Sequence, residues 1–458
     1  MENFVKAELP LPYRWLKSYI RLLVEKAYYR EVHYIGQENI PADGTPLLIV
    51  SDHQNSLNDA LGLLLSVNDR LVHFIVRADV FALSPLADKF LRSIGLLPAF
   101  RMNFEGESAL SNNGATFRDS EKALSEGESV VIYPEAGHQD KHWLGTFSYG
   151  YTKMAFDAAE MTGFSREIFI LPSCNHYSDY FGLRNDMLVK YGTPVSLKPY
   201  YELYRTKPRT AQREVNAIVR DQIKSMMLNI EDLPNYEAID FLRRGTYGET
   251  FAESCGYDPE SLPDRLESDR KLVADLAAAK ESDEAAVQAL YDEASSLEKD
   301  LKSAGLTESV LDNAPTAGSL AFQAAVMIVL LPLAAFALWP SLICWFVPKY
   351  FSRKVGDRML SGSFVIGLNV LFILPLVGLL TFILTWINAS FIAALIYTAA
   401  LVPLCLFEWT YAGWIGELVT GIKARKAVAN GRFGELLDRR KKLFFSLDTI
   451  LLKNKANI

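Results

Sequence analysis

Two apolar stretches, residues 320–347 and 364–409, constrain this chain more than anything else in it. About 20 apolar residues suffice to cross the hydrocarbon of a bilayer, where the backbone must satisfy its own hydrogen bonds as helix. The second stretch breaks only at Trp386-Ile387-Asn388-Ala389-Ser390, so two spans are expected, about 364–385 and 391–410, joined by a tight turn. The first is interrupted by Pro332 and Pro340, and either crosses once or bends back as a re-entrant hairpin. Basic residues lie between the stretches (Lys349, Arg353, Lys354, Arg358) and after them (Lys423, Arg425, Lys426, Arg439 to Lys442). Cytoplasmic flanks are enriched in Lys and Arg, and a hairpin keeps both basic segments on the side of the N-terminal domain, so it is the form expected.

The remainder reads as a soluble body joined to this membrane region. Over 458 residues 50% are hydrophobic and the mean hydropathy is +0.08, too apolar for one ordinary soluble domain. A net charge of -7 excludes bulk nucleic-acid binding, while the local basic tail from Lys423 suggests contact with lipid headgroups. Cys174, Cys255, Cys344 and Cys405 are scattered with no disulfide or zinc spacing, which fits a reducing compartment. The start, MENFVKAELPLPYRW, carries no apolar signal-peptide core, so the first domain is expected to face the cytoplasm. Residues 13–29 form an amphipathic pattern that either packs on that domain or lies on anionic lipid.

From Val32 to about Tyr204 short apolar runs (47–51, 72–76, 129–133, 168–172, 187–191) alternate with amphipathic helical stretches (56–65, 85–94, 114–125, 149–161). The alternation predicts an α/β domain with a largely parallel core sheet and functional residues in loops at strand ends. Residues 211–229 read as helix. The acidic, Ala-rich segment 258–313 places Val287, Leu290, Ala294, Leu297 and Leu301 three and four apart, a narrow seam expected of a helical hairpin or coiled-coil connector, or of a homodimer contact. The expected division is 1–240, an α/β domain with its N-terminal helix; 241–316, the acidic helical connector; 317–413, a C-terminal α-helical transmembrane region; and 414–458, a basic amphipathic tail.

Chemistry concentrates at strand ends. The run 47–51 opens into Asp52-His53-Gln54-Asn55-Ser56-Leu57-Asn58-Asp59, an imidazole beside carboxylates. Gly95-Leu96-Leu97-Pro98-Ala99-Phe100-Arg101 closes an apolar turn on a fixed cation. Ser129 to Ile132 runs into Tyr133-Pro134-Glu135-Ala136-Gly137-His138, and Ile168-Phe169-Ile170-Leu171-Pro172 ends a further strand on proline. His138, His142 and His176 raise a metal reading, but no third ligand is fixed by their spacing, and no metal or cofactor is expected. A Gly-x-Ser-x-Gly elbow is lacking, and Cys174 sits in an apolar strand without a reason for a reactive thiol.

In order and spacing these blocks resemble the glycerophosphate and lysophosphatidate acyltransferase superfamily, with its Asn-His-x4-Asp, Gly-x5-Arg, Phe-Pro-Glu-Gly and late apolar-Pro blocks. The resemblance covers roughly residues 13–194. Three departures stand out: Asp52 replaces the usual Asn, five residues rather than four separate His53 from Asp59, and Ala136 is inserted between Glu135 and Gly137. The wider gap resembles the branch acting on glycerol 3-phosphate or dihydroxyacetone phosphate. The resemblance implies acyl transfer from acyl-CoA or acyl carrier protein to a phosphate-bearing glycerol, most simply 1-acyl-sn-glycerol 3-phosphate, at a membrane surface.

Such a transfer needs a base for the hydroxyl proton, an aimed acceptor and support for an oxyanion. His53 is the expected base, with Asp59 as its partner and Asp52 or Asn58 as competitors. Arg101 would grip the acceptor phosphate through two hydrogen bonds. Glu135 would accept from acceptor hydroxyls, Gly137 would let backbone N–H groups approach a phosphate or oxyanion, and Gly95, which opens the turn leading to Arg101, is expected with them among the substrate-binding residues. The alternatives are an aminoacyl-lipid acceptor, or a non-catalytic membrane scaffold with a vestigial domain.

Overall fold

A computed structural model describes residues 9, 11–67, 70–78, 81, 84–99, 108–135, 137, 141–355 and 360–456. The chain forms two compact units: Met1–Met227 with Asp357–Ile366, and Leu228–Gly356 with Gly367–Ile458.

In the first unit a helix α1 (Leu11–Leu23), continued by a π-turn at Val24–Tyr28, precedes strand β1 (Val32–Ile35). There follow β2 (Leu47–Ser51), α2 (Leu57–Ser66), β3 (Val72–Arg77), α3 (Pro85–Ser93), β4 (Leu96–Ala99), α4 (Ser108–Glu126), β5 (Ser129–Ile132), α5 (Gly150–Met161), β6 (Phe169–Tyr177), β7 (Met187–Tyr191), β8 (Val195–Ser196), α6 (Tyr201–Thr206) and α7 (Pro208–Met226). The strands make one sheet in the order β1-β7-β6-β2-β5-β3-β4, with β8 beside β6. Pairing is parallel except that β6 runs antiparallel to β7 and β8. The expected α/β class with a largely parallel core sheet is the one observed.

Hydrophobic burial explains the centre. Leu47, Leu48, Ile49 and Val50 of β2 are covered on both faces, as a central parallel strand demands. Burying each contributes about 1.5–3 kcal/mol. On α7, which Pro208 starts at a position needing no N–H, Ala211, Val215, Val219, Ile223 and Met226 recur every three or four residues and pack into the same core as Val50 and Ile170.

Two local expectations are corrected. The strand begun near Ile168 does not end on Pro172; it runs to Tyr177, because β7 pairs with it from Ser173 onward and the Pro172 carbonyl accepts from Gly192 N–H at 2.9 Å. The apolar turn after Gly95 is a strand, β4, paired in parallel with β3. Gly95 enters it at φ +85°, and a Cβ there would lie 3.0 Å from the Val72 carbonyl oxygen, which explains the glycine as a turn residue.

The second unit is helical: α8 (Tyr236–Arg244), α9 (Thr246–Ser254), α10 (Leu262–Ser282), α11 (Glu284–Ala304), α12 (Ala317–Val355), α13 (Leu360–Leu368, whose first residues belong to the first unit), α14 (Leu374–Asn388), α15 (Phe391–Ala429) and α16 (Arg432–Ala456). α10 and α11 form the expected hairpin; Asp283 caps α11 by accepting from Ala286 N–H at 3.1 Å. Its seam, Val287, Leu290, Ala294, Leu297 and Leu301, is buried inside the chain, where α11 packs on α8 and α16. The seam is thus occupied within the chain. Within the basic tail, Arg439 pairs with Glu293 (2.8 Å) and Asp300, and Arg440 with Glu308 (2.8 Å) and Asp312 (2.7 Å), so these two arginines are engaged by the acidic connector.

Three segments, Ala317–Lys354, Leu360–Asn388 and Phe391–Ala429, are long and apolar enough to cross a membrane. α12 contains Pro332, Pro340 and Pro348. Up to Trp339 its partners on α15 run in the opposite sense. Gln323 donates to the Trp414 carbonyl (3.4 Å), the Met327 carbonyl accepts from Tyr411 (3.0 Å), and Trp339 donates to Tyr397 (2.6 Å). Beyond Pro340 they turn back: Cys344 clusters with Cys405, and Trp345 stacks on Trp409 at 4.6 Å. The helix itself runs unbroken through Pro332, Pro340 and Pro348.

Candidate active site

Register brings the site together. Val50 pairs with Ile132 in parallel, so the third residue beyond each, His53 and Glu135, emerges at the same carboxyl edge of the sheet. On the other flank of β2, Ser51 pairs with Ser173, which sets Asp52 beside Asn175.

His53 and Asp59 meet. Nδ1 of the imidazole lies 2.9 Å from Asp59 Oδ2, with the His53 side chain 19% exposed and Asp59 wholly buried. α2 begins at Leu57, so Asp59 is its third residue and its carboxylate reaches back over the helix start. The extra residue in the His–Asp gap is absorbed by the loop ahead of α2. Gln54 N–H (2.9 Å) and Asn55 N–H (2.8 Å) also donate to Oδ2, and the Tyr177 hydroxyl donates to Oδ1 at 2.6 Å. Four donors thus fix one carboxylate, and the partner of Nδ1 is Asp59 rather than the competitors.

Those competitors have other neighbours. Asp52 Oδ1 accepts from Asn175 N–H at 2.8 Å and from the Ser51 hydroxyl at 3.2 Å, and Oδ2 meets no hydrogen-bond partner among the described residues. Burial, then the charge of Asp59, pushes its carboxyl well above the usual carboxylate range. Asn58 is buried, with its amide toward Gly362 and Tyr28.

Glu135 binds the protein itself: Oε1 accepts from His53 N–H (3.1 Å) and Oε2 from Gly145 N–H (2.6 Å). It therefore ties the loop after β5 to the backbone of the histidine. Among the described residues, a Cβ at Gly137 would meet nothing within 4 Å. Arg101 and His138 lie outside the described residues. Among those described, no three His, Cys, Asp or Glu side chains converge as metal ligands. His142 instead approaches the Tyr180 hydroxyl through Nδ1 at 3.0 Å, and that hydroxyl donates to Gln54 Oε1 at 2.6 Å.

Sequence reasoning overlooked three aromatic contributors. Tyr133 lies flat against His53, ring centroids 4.2 Å apart at 19°, and Tyr177 and Tyr180 brace Asp59 and Gln54. Tyr133 was legible by position, since it directly precedes Pro134-Glu135 at a strand end. Tyr177 and Tyr180 lie beyond a proline that looked like a strand terminus.

Chemically, a partly buried imidazole with Nδ1 held by a carboxylate is the arrangement of a general base with a fixed tautomer. Residues 31–175 match the family model described as Acyltransferase. Over 135 residues the chain is 27% identical to a chloroplastic 1-acyl-sn-glycerol-3-phosphate acyltransferase of Arabidopsis thaliana, covering 30% of this chain and 34%, about a third, of that protein's length. Among solved structures it is similar to the 1-acyl-sn-glycerophosphate acyltransferase PlsC from Thermotoga maritima, at 15% identity and a TM-score of 0.34, over 46% of this chain and 78% of the other.

Proposed function

We propose, from the premise that residues 31–175 are an acyltransferase domain of the glycerophosphate and lysophosphatidate acyltransferase superfamily, that the chain transfers a fatty acyl group from acyl-CoA or acyl carrier protein to the hydroxyl of 1-acyl-sn-glycerol 3-phosphate in phospholipid synthesis. The observation that carries the reading is the 2.9 Å contact between His53 Nδ1 and Asp59. It also weighs against a vestigial scaffold, since the widened spacing still forms the pair.

Nδ1–H donates to Asp59, leaving the Nε2 lone pair for the acceptor hydroxyl. As the hydroxyl oxygen bonds to the thioester carbonyl carbon, its proton passes to Nε2, and Asp59 stabilises the imidazolium. Collapse of the tetrahedral intermediate breaks the C–S bond, and the thiolate takes the proton from Nε2. No acyl-enzyme forms. Glu135 holds the His53 backbone while this happens, and Arg101 is the proposed phosphate contact by its place in the motif. The proposed membrane arrangement is multi-pass or partly re-entrant, with the acyltransferase domain on the cytoplasmic side. It is supported by the three long apolar helices and by the positions of Lys349, Arg353 and Lys354.

A second reading changes only the acceptor, to glycerol 3-phosphate or dihydroxyacetone phosphate, and rests on the five-residue gap between His53 and Asp59. Purified full-length protein in detergent, given radiolabelled acyl-CoA or acyl carrier protein with each acceptor separately, distinguishes them. Phosphatidate formed from 1-acyl-glycerol 3-phosphate alone supports the first reading, product from glycerol 3-phosphate alone supports the second, and no product from any acceptor overturns both.

A further inference from the structure

The helix that carries Asp59 lacks a cap of its own. The first N–H groups of an α-helix have no partner inside it, and a preceding Ser usually supplies one through its hydroxyl. Ser56 stands at that place before α2, yet its backbone is at φ +52°, ψ -119°, and its side chain makes no capping bond. Such a φ is unfavourable for a non-glycine residue and persists only where the surroundings impose it. Asp59 does not take over the role, because its carboxylate serves the N–H groups of Gln54 and Asn55 ahead of the helix.

The missing acceptor arrives from 306 residues away. Leu57 N–H donates to the Ser363 hydroxyl at 2.9 Å. Ser363 lies on α13, in the part of that helix belonging to the same unit as the sheet, and α13 continues in sequence into the apolar Leu374–Asn388 helix. Its neighbour Gly362 makes the approach feasible. A Cβ on Gly362 would stand 2.9 Å from Asn58 Nδ2, 3.2 Å from the Tyr28 hydroxyl and 3.6 Å from Asn55 Oδ1, all around the first turn of α2.

We propose that Ser363 and Gly362 are positioning residues of the active site, an apolar C-terminal segment supplying the N-terminal cap of the helix that aims Asp59 at His53. The inference rests on the reading of His53 and Asp59 as the catalytic pair. With the cap in place, the turn that carries Asp59 has one geometry; without it, that turn competes with frayed alternatives in which the pair is misaligned. Membrane insertion of the C-terminal segment and competence of the catalytic pair are thereby linked through one hydrogen bond.

The test is steady-state acyl transfer by full-length, detergent-purified protein, with Ser363→Ala, Ser363→Thr, Ser361→Ala and His53→Ala compared with wild type. Ser363→Ala is expected to lower kcat about fivefold, the usual weight of an N-cap, with KM for both substrates unchanged. Ser363→Thr should restore kcat by keeping the hydroxyl, and Ser361→Ala, the same chemical change two residues away, should match wild type. Gly362→Leu should lose more than Ser363→Ala. Wild-type kcat in Ser363→Ala beside an inactive His53→Ala overturns the inference alone, as does a loss in Ser363→Ala that Ser363→Thr fails to recover. Undiminished transfer by His53→Ala overturns the reading of the pair and the inference with it.

Discussion

The hydroxyl of Tyr177 donates to Asp59 Oδ1 at 2.6 Å while the other oxygen of that carboxylate faces the His53 imidazole at 2.9 Å. One buried carboxylate is therefore clamped from β6 on one side and presented to the histidine on the other. Tyr177→Phe keeps the ring and removes only the clamp. A hydrogen bond to a charged group is worth about 1.5–3 kcal/mol, so kcat is expected to fall by about tenfold or more with acceptor KM unchanged, as read from initial rates.

Asp52 makes the opposite prediction for pH. In the folded chain its carboxyl holds a proton well above the usual range, because burial and Asp59 disfavour its charge, whereas unfolded it ionises above about pH 4. Folding therefore takes up a proton, and this residue erodes stability as pH rises, by about 1.4 kcal/mol per pH unit until its folded pKa is reached. Asp52→Asn keeps the shape and cannot ionise. Thermal unfolding from pH 5 to 8 should show the variant gaining on wild type with rising pH; parallel curves would refute the upward shift at Asp52.

Glu135→Gln tests whether that carboxylate serves the protein or the substrate. Both oxygens accept from backbone N–H groups, and an amide would turn an NH2 toward His53 N–H or Gly145 N–H. The cost is about 1–3 kcal/mol for the unmet donor. A lower melting temperature and lower kcat are expected, with acceptor KM unchanged; a raised KM alone would mean that Glu135 contacts the acceptor.

Arg440 is buried against Glu308, with the exposed Asp312 beside it, so Arg440→Ala leaves one buried carboxylate without its cation. Breaking a buried pair by removing one partner costs about 3–5 kcal/mol, and proteolysis or thermal unfolding of the helical unit should register it. Lys441, exposed on the same helix, gives the contrast, and Lys441→Ala should change unfolding by no more than about 0.5 kcal/mol.

What could be read from the chain alone follows the range of the forces involved. The run Leu47 to Val50 and the stripe from Val215 to Ile223 announce a buried strand and a helix because periodicity is local. β4 escaped because four residues containing Pro98 resemble a turn, and β6 was cut short because Pro172 reads as a terminator although its carbonyl still accepts from Gly192. At the site, His53 and a carboxylate partner were legible, but the choice of Asp59 depends on where α2 starts. Glu135 was recognised as a site residue, but nothing near it in sequence points to His53 N–H or Gly145 N–H. The seam of α11 and the arginines of α16 were both visible; their mutual occupation links positions more than a hundred residues apart, as does the bond between Leu57 and Ser363.

The most direct measurement is the initial rate of acyl transfer by His53→Ala protein, beside wild type, with the donor and acceptor that the wild-type enzyme uses. A general base contributes about 10²–10⁴-fold, so a rate at least a hundredfold below wild type is expected, with the protein folded and its melting temperature little changed. Transfer undiminished in the folded variant would contradict the assignment of His53 as the base held by Asp59.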